Sequence, residues 1–339
     1  MTMQSISRSL LAHVVRDTAA LDWRRANLAV ALDVASVNTQ EQTNVAFGCK
    51  WSEMRHGSAD FARFTEQQCR WYLDLYGFAS EAELSEQLSA CRFIIDCGTG
   101  TGSKAAWFAS LSPEALVLAV DFSESVAAAA EYYAASHPNL VFLRGDIGAM
   151  PYLADAAFDY VNCDQVIHHT ADPPATFREL VRLTKPARDL TCQVYRKKAL
   201  PRELLDEYFR GYCKTLGHAE LLELSAQMTE LGHILSQDQR LVDFPAIPAL
   251  RIEGGRMTVQ RFIYWNFIKC FWNDELGEHV SMLTNYDWYS PSQAARYSET
   301  EFRAWIAENQ LDIVHFHEEE ACYSGRFRRR SGERTVCRR

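Results

Sequence analysis

The 339-residue chain has no run of about twenty apolar residues, so nothing in it reads as a membrane-spanning helix. Its opening, MTMQSISRSLLAHVVRD, lacks a sustained apolar core and a small-residue cleavage site, which argues against a secretory leader. Ten cysteines are present, but none in a CxxC or other paired spacing. Neither a disulfide framework nor a metal site is therefore expected. Several of the thiols sit in strand-like apolar runs, where cysteine behaves as a small hydrophobe. There is no excess of positive charge: 35 Lys and Arg against 44 Asp and Glu leave −9, which argues against a nucleic-acid binder. Repeats, low-complexity tracts and the phosphate loop GxxxxGK[ST] are all missing. What is there is an ordinary globular composition, 47% hydrophobic and 23% charged, and a cytoplasmic enzyme is the default expectation. The charge is uneven. Residues 326–339, RFRRRSGERTVCRR, hold seven arginines and one glutamate, or +6, so the remainder is −15.

Residues 1–90 read as a helical cap, carried by SLLAHVVRDTAALDWRRANLAVAL, DFARFTEQQCRWYLDLYGF and SEAELSEQLSAC. From residue 91 the texture changes. FIID (93–96), ALVLAVD (115–121), NLVFLRGD (139–146), FDYVNCD (158–164) and DLTCQVYR (189–196) are short apolar runs that read as strands. SKAAWFASL, SESVAAAAEYYAAS and PPATFRELVRLT between them read as helices, the last with Asp172 as its N-cap and Pro173 at its first position. This alternation predicts an α/β core at 91–196, a mostly parallel sheet covered on both faces. Residues 197–297 break the rhythm; they are helical, aromatic and too long for a loop, and read as an insert or substrate lid. The core ends at 298–327, where Ser298 and Glu301 have capping-box spacing before a helix and two short strands. Residues 328–339 read as a basic tail, with a solubilising end as the plainer interpretation.

The stretch FIIDCGTGTGSKAAWF carries the first chemical signal. Gly98, Gly100 and Gly102 bridge a strand and a helix, where glycine permits positive φ and a close backbone approach. Open α/β sheets bind ligands at the carboxyl ends of their strands, so a ligand is expected here. The pattern is GxGxG rather than the dinucleotide GxGxxG, which disfavours a nicotinamide-dependent oxidoreductase. Asp96 lies two residues before the first glycine. Asp121 ends the next strand, 25 residues after Asp96, where an acid can accept both hydroxyls of a ribose. Asp146 ends the third strand and is followed by apolar Ile147.

From 93 to about 196 the chain resembles the class I S-adenosylmethionine-dependent methyltransferases. IIDCGTGTG resembles their first motif, VLAVDFSES their ribose-binding acid, and LRGDIGAMPYLADAAFDYVNCDQVIHHTADP their third and fourth motifs. The resemblance implies a Rossmann-like sheet and S-adenosylmethionine as cofactor. It places Asp96 and the backbone of Gly98, Thr99, Gly100 and Gly102 against the methionine part. Asp121 would bind the ribose, Phe122 would lie against the adenine, and Asp146 would accept from the adenine amino group beside the Ile147 backbone. Cys163, Asp164 and Gln165 would line the floor near the sulfonium. One departure stands out: the family commonly has KPGG before the fifth strand, and this chain has KPARD (185–189). More weakly, AFGCKW and NYDWYSPSQAARYSETEFRAW resemble flanking segments of a group of small-molecule methyltransferases, in which such segments build the acceptor pocket.

Methyl transfer is an in-line displacement helped by positioning and desolvation. Oxygen, nitrogen and acidic-carbon acceptors also need a base, whereas a thioether has no proton to lose. The candidate bases are His168 and His169 after the fourth strand, Asp164, and Tyr289; for each the plainer alternative is packing or loop anchoring. Trp51, Trp288 and Tyr289 are candidates for an aromatic wall that would suit a sulfonium. Arg196 is a candidate for a substrate carboxylate, with a solvated charge as the alternative. These readings favour S-methylation of a carboxylate-bearing thioether, resembling the methylthiohydroxybutyrate S-methyltransferases of dimethylsulfoniopropionate synthesis. O- or C-methylation of a natural product or quinone precursor is the second reading, and a non-catalytic S-adenosylmethionine-binding protein the third. The expected partner is a small molecule, with neither nucleic acid nor membrane; a homodimer is left open.

Overall fold

The structure, a computed structural model, describes residues 11–32 and 38–331. What was expected of residues 1–10, 33–37 and 332–339, including most of the basic tail, lies outside the described residues. The chain divides into two compact units, one of Met1–Ala35, Cys69–Val194 and Tyr297–Arg339, the other of Ser36–Gln68 and Tyr195–Arg296.

The first unit is built on one large sheet. Its strands are β1 (Leu21–Arg25), β2 (Leu28–Ala31), β3 (Phe93–Cys97), β4 (Leu116–Asp121), β5 (Leu140–Arg144), β6 (Phe158–Cys163) and β7 (Thr184–Arg196), followed by the hairpin of Leu311–Glu318 and Cys322–Arg329. Across the sheet the order is β1-β2-β5-β4-β3-β6-β7, then Cys322–Arg329 and Leu311–Glu318. Pairing is parallel from β2 through β7. The core strands are apolar throughout because both faces are covered. Phe93, Ile95, Leu118 and Val120 pack into one buried cluster. Ile94, Val117, Ala119 and Phe142 pack into the other. The order reverses at β3, where β4 and β5 lie to one side and β6 and β7 to the other. A reversal of this kind opens a crevice at the carboxyl ends of the strands.

The expected elements of the core are present, and the expected caps are made. Asp172 accepts from the Ala175 amide at 2.9 Å, and Ser298 and Glu301 close a capping box. Three expectations need correction. The cap at 1–90 is not purely helical. Alanine-rich LDWRRANLAVAL has helical propensity, but it folds into the β1–β2 hairpin, and β2 runs parallel to β5. Pairing to an open sheet edge outweighs a local preference worth tenths of a kilocalorie per residue. The basic tail does not begin at 328: Arg328 and Arg329 belong to the last strand. Arg328 pairs with buried Asp189 at 2.7 Å, and Arg329 donates to the Thr184 carbonyl at 2.6 Å. KPARD is not a free turn before β7 but lies within it. The register jumps there, from Phe158 opposite Thr184 to Tyr160 opposite Asp189, and Ala187 takes φ 58°.

The second unit is mainly helical: Asn38–Glu53, Leu200–Cys213, His218–Ser236, Val259–Asn266 and Gly277–Tyr289, with the small antiparallel hairpin Val242–Phe244 and Gly255–Met257. The expected insert at 197–297 thus includes a hairpin, and its unit also takes in residues 36–68 from the expected cap. Its apolar clusters centre on Met54, Phe61, Val280 and Leu283, and on Leu221, Tyr286, Trp288 and Tyr289.

The left-handed Ala187 is exposed and stands where the resembled family has glycine. A Cβ in that conformation costs about 1–2 kcal/mol, partly offset by the extra freedom glycine has when unfolded. Ala187→Gly is therefore expected to stabilise the protein by about 0.5–1 kcal/mol. An unchanged or lowered urea midpoint would show that the bulge is not strained.

Candidate active site

Four adjacent core strands, β3 to β6, end at or within two residues of an acid, and the glycine turn is folded around these acids. Gly98, Gly100 and Gly102 all have positive φ, at 83°, 54° and 77°. At two of them the requirement comes from the protein itself. A Cβ on Gly98 would lie 2.3 Å from a Val166 methyl, and one on Gly102 would lie 2.9 Å from the Phe142 ring. The glycines thus permit the turn to close against the sheet, as well as leaving its backbone bare.

Asp96, at the end of β3, is 2% exposed. Its carboxylate accepts from Thr99 Oγ1 at 2.7 Å and from Asn162 Nδ2 at 2.6 Å. Burial raises its pKa, opposed by nearby Lys104 and by these two donors. Asn162 is held in turn by Thr191 at 2.7 Å and Tyr72 at 3.1 Å, and Tyr72 also bonds Tyr160 at 2.8 Å. Asp164 is buried and takes three donors: the Tyr76 hydroxyl at 2.7 Å, Gln165 Nε2 at 3.1 Å and the Lys104 ammonium. It therefore anchors the helices Ala59–Tyr76 and Ser103–Leu111 to the end of β6. Gln165 has φ 63°, and Cys163 is fully buried. Phe122, following β4, is partly exposed, and its carbonyl accepts from Arg144 at 3.4 Å.

Asp121 and Asp146 stand differently in being half-buried, where Asp96 and Asp164 are buried. Asp121 takes the Gly100 amide on Oδ2 at 2.8 Å and the Ser123 amide and hydroxyl on Oδ1 at 2.8 and 2.6 Å. An ionised carboxylate has about four acceptor sites, so Oδ2 keeps one in reserve. Asp146 accepts from the Gly148 amide on Oδ1 at 2.8 Å, while its Oδ2 accepts from none of the described residues. Burial raises the Asp146 pKa, with the Gly148 bond opposing. Ile147 beside it is buried. This set fits S-adenosylmethionine: carboxylate oxygens with spare acceptor capacity end two adjacent strands, and apolar Ile147 and Phe122 flank them.

His168 and His169 form a buried turn, Ile167–His169, with ring centroids 4.4 Å apart. The remaining expected residues lie in the second unit. The Tyr289 hydroxyl donates to the Lys269 carbonyl at 3.0 Å, and burial raises its pKa well above the usual tyrosine value. Arg196 pairs with exposed Glu253 at 3.0 Å. Lys50 sits 4.1 Å over the Trp51 ring, and Lys269 sits 4.7 Å over that of Trp288. Tyr72, Tyr76, Asn162, Thr191 and Lys104 were not foreseen. Tyr72 and Tyr76 carried one readable signal, a four-residue spacing that puts both on one helix face.

A methyltransferase domain family matches residues 95–190. An uncharacterised methyltransferase of Schizosaccharomyces pombe is 33% identical over 108 residues, 30% of this chain and 38% of that protein. A demethylmenaquinone methyltransferase of Roseiflexus castenholzii is 30% identical over 103 residues, 30% of this chain and 42% of that protein. The chain thus spans less than half the length of either relative. Among solved structures, a Burkholderia thailandensis 1,6-didemethyltoxoflavin N1-methyltransferase, with S-adenosylhomocysteine bound, aligns at 13% identity over 92% of this chain and 99% of that one, with a TM-score of 0.38.

The Tyr76–Asp164 bond sets a test. Tyr76→Phe leaves a buried carboxylate short of a donor, which costs about 1.5–3 kcal/mol for a bond to a charged group. A lower urea midpoint of that size is expected; no change would mean that Lys104 and Gln165 suffice to anchor Asp164.

Proposed function

We propose that this chain, whose residues 95–190 carry a class I S-adenosylmethionine-dependent methyltransferase domain, methylates a small molecule and releases S-adenosylhomocysteine. What carries the reading is the coincidence of that match with a left-handed glycine turn at the sheet's order reversal, flanked by two carboxylates with acceptor capacity to spare. When bound, S-adenosylmethionine supplies an electrophilic methyl group. The chain's own part is to hold the donor and exclude water. Asp121 binds the ribose, accepting from a hydroxyl at the Oδ2 site that the Gly100 amide leaves. Asp146 Oδ2 accepts from the adenine amino group, with the Ile147 backbone beside it and Phe122 against the ring. The backbone of Gly98, Thr99, Gly100 and Gly102, braced from below by Asp96, carries the methionine part, and Cys163 and Gln165 line the floor.

For the acceptor, the first reading is sulfur in a carboxylate-bearing thioether such as 4-methylthio-2-hydroxybutyrate. Two of the side chains considered as bases are already committed. Asp164 holds three donors, and the Tyr289 hydroxyl donates to a carbonyl. A thioether needs no base. The second reading, O- or C-methylation of a natural product or quinone precursor, is favoured by the relative named a demethylmenaquinone methyltransferase, and would use His168 or His169 as base.

Calorimetric titration with S-adenosylmethionine and S-adenosylhomocysteine tests the donor site. Micromolar binding is expected. Asp121→Ala should weaken it about ten- to hundredfold, the worth of one hydrogen bond to a charged group. An acceptor screen on the same sample then separates thioethers from hydroxyls and acidic carbons. If neither ligand binds, the domain has kept the fold without the cofactor.

A further inference from the structure

The second unit buries more positive charge than it neutralises. The helix Leu200–Cys213 presents Arg202, Asp206 and Arg210 at four-residue spacing as its buried polar stripe. Arg202 Nε donates to both carboxylate oxygens of Asp206, at 2.9 and 2.8 Å, and Arg202 also donates to the Tyr264 carbonyl. On Asp287, Oδ2 is taken by Lys50 at 2.6 Å. The other oxygen, Oδ1, lies 3.9 Å from Lys269, beyond hydrogen-bond reach. The Lys269 side chain is only 7% exposed, and no acceptor for its ammonium lies within 3.5 Å among the described residues. Of the three cations Lys50, Arg202 and Lys269, the first two are each bonded to a carboxylate, Asp287 and Asp206, and Lys269 is not. Three more buried donors, Trp288 Nε1 itself and Nε and Nη2 of Arg210 beside the same indole, also have no acceptor among the described residues.

The backbone that carries Lys269 is held from several sides. The Lys269 carbonyl takes the Tyr289 hydroxyl, and Asn285 clamps Phe271 by bonds of 2.7 Å to its amide and 3.0 Å to its carbonyl. Gly232 of the helix His218–Ser236 packs so close that a Cβ there would lie 2.3 Å from the Cys270 carbonyl oxygen. A largely buried ammonium without a hydrogen-bonded acceptor is costly by itself and becomes favourable when an anion completes it.

We infer that Lys269, with Trp288 and the cations Lys50 and Arg202 around it, forms an anion site in the second unit that takes the carboxylate of a small molecule. One surplus positive charge matches one monoanion, which favours a carboxylate over a doubly charged phosphate. The inference rests on the methyl-transfer reading only in making that carboxylate part of the acceptor, and it moves the charge recognition from Arg196 to Lys269. Burial, with Arg202 and Lys50 nearby, pulls the Lys269 pKa down to about 8, against the pull of Asp287 and Asp206. A bound carboxylate favours the ammonium. Binding near pH 8 therefore takes up protons, and affinity falls as pH rises above about 8.

The test is calorimetry of the full chain, with and without S-adenosylhomocysteine. The probes are 4-methylthio-2-hydroxybutyrate, 3-methylthiopropanoate, the methyl ester of each, and inorganic phosphate. Both carboxylates are expected to bind at least tenfold tighter than their esters and than phosphate. Heats at pH 8 should depend on the buffer's ionisation enthalpy in the sense of proton uptake. Lys269→Gln should lose at least tenfold toward the carboxylates and nothing toward the esters, and Lys269→Arg should recover part of the loss. Equal affinity for acid and ester, tighter phosphate binding, or an unaffected Lys269→Gln overturns the site. S-adenosylmethionine titrated into the same samples separates the two readings. Wild type that binds it but no carboxylate sinks the anion site alone. Carboxylate binding without S-adenosylmethionine binding sinks methyl transfer alone. Lys269→Gln that fails to bind S-adenosylmethionine is set aside as misfolded, and the acid–ester comparison and proton uptake in wild type then decide.

Discussion

Asp96, Asp121, Asp146 and Asp164 gather at one end of one sheet, and bringing carboxylates together out of water is the constraint that shapes the first unit. Each needs donors, and the chain supplies them from different places. Thr99 and the Gly100 amide come from the glycine turn, Ser123 and Gly148 from the loops that follow β4 and β5, and Asn162 from β6. Lys104 contributes a cation from the first turn of the helix after the glycines, holding Asp164 and easing the burial of Asp96. The glycine turn is thus fixed by its obligations to acids as much as by its glycines. What sets Asp121 and Asp146 apart from the other two is exposure: they are half-buried, whereas Asp96 and Asp164 are buried.

The second unit meets the same problem with the sign reversed. Arg202, Lys50 and Lys269 lie among aromatic side chains, and Trp288 has protein cations against it at 4.7 to 6.0 Å. That arrangement alters the reading of the aromatic residues. A tryptophan face already engaged by arginine and lysine offers less to a sulfonium than a bare one. The surrounding charge attracts an anionic group instead.

The legible parts were those that depend on neighbours in sequence. β3 to β6 showed as apolar runs because both sheet faces are covered, and Asp172, Ser298 and Glu301 announced helix starts through their own backbone spacing. The glycine turn, Asp121 and Asp146 were readable because strand, turn and acid follow one another within a few residues. The β1–β2 hairpin was not, since the alanines that favour a helix locally are overruled by an edge of β5 more than a hundred residues away. Arg328 looked like the start of a charged tail until Asp189 was found beside it.

By itself, the sequence determined the kind of sheet, the glycine turn and the acids beside it, because strand period, glycine conformation and capping act over a few residues. Only the tertiary structure decided which polar groups are already spent. Asp164 became an anchor and Tyr289 a donor to a carbonyl through partners distant in the chain, while among the described residues Asp146 Oδ2 has no donor and the Lys269 ammonium no hydrogen-bonded acceptor. Whether a buried charge has a partner depends on which segments fold against it, and no local pattern records that.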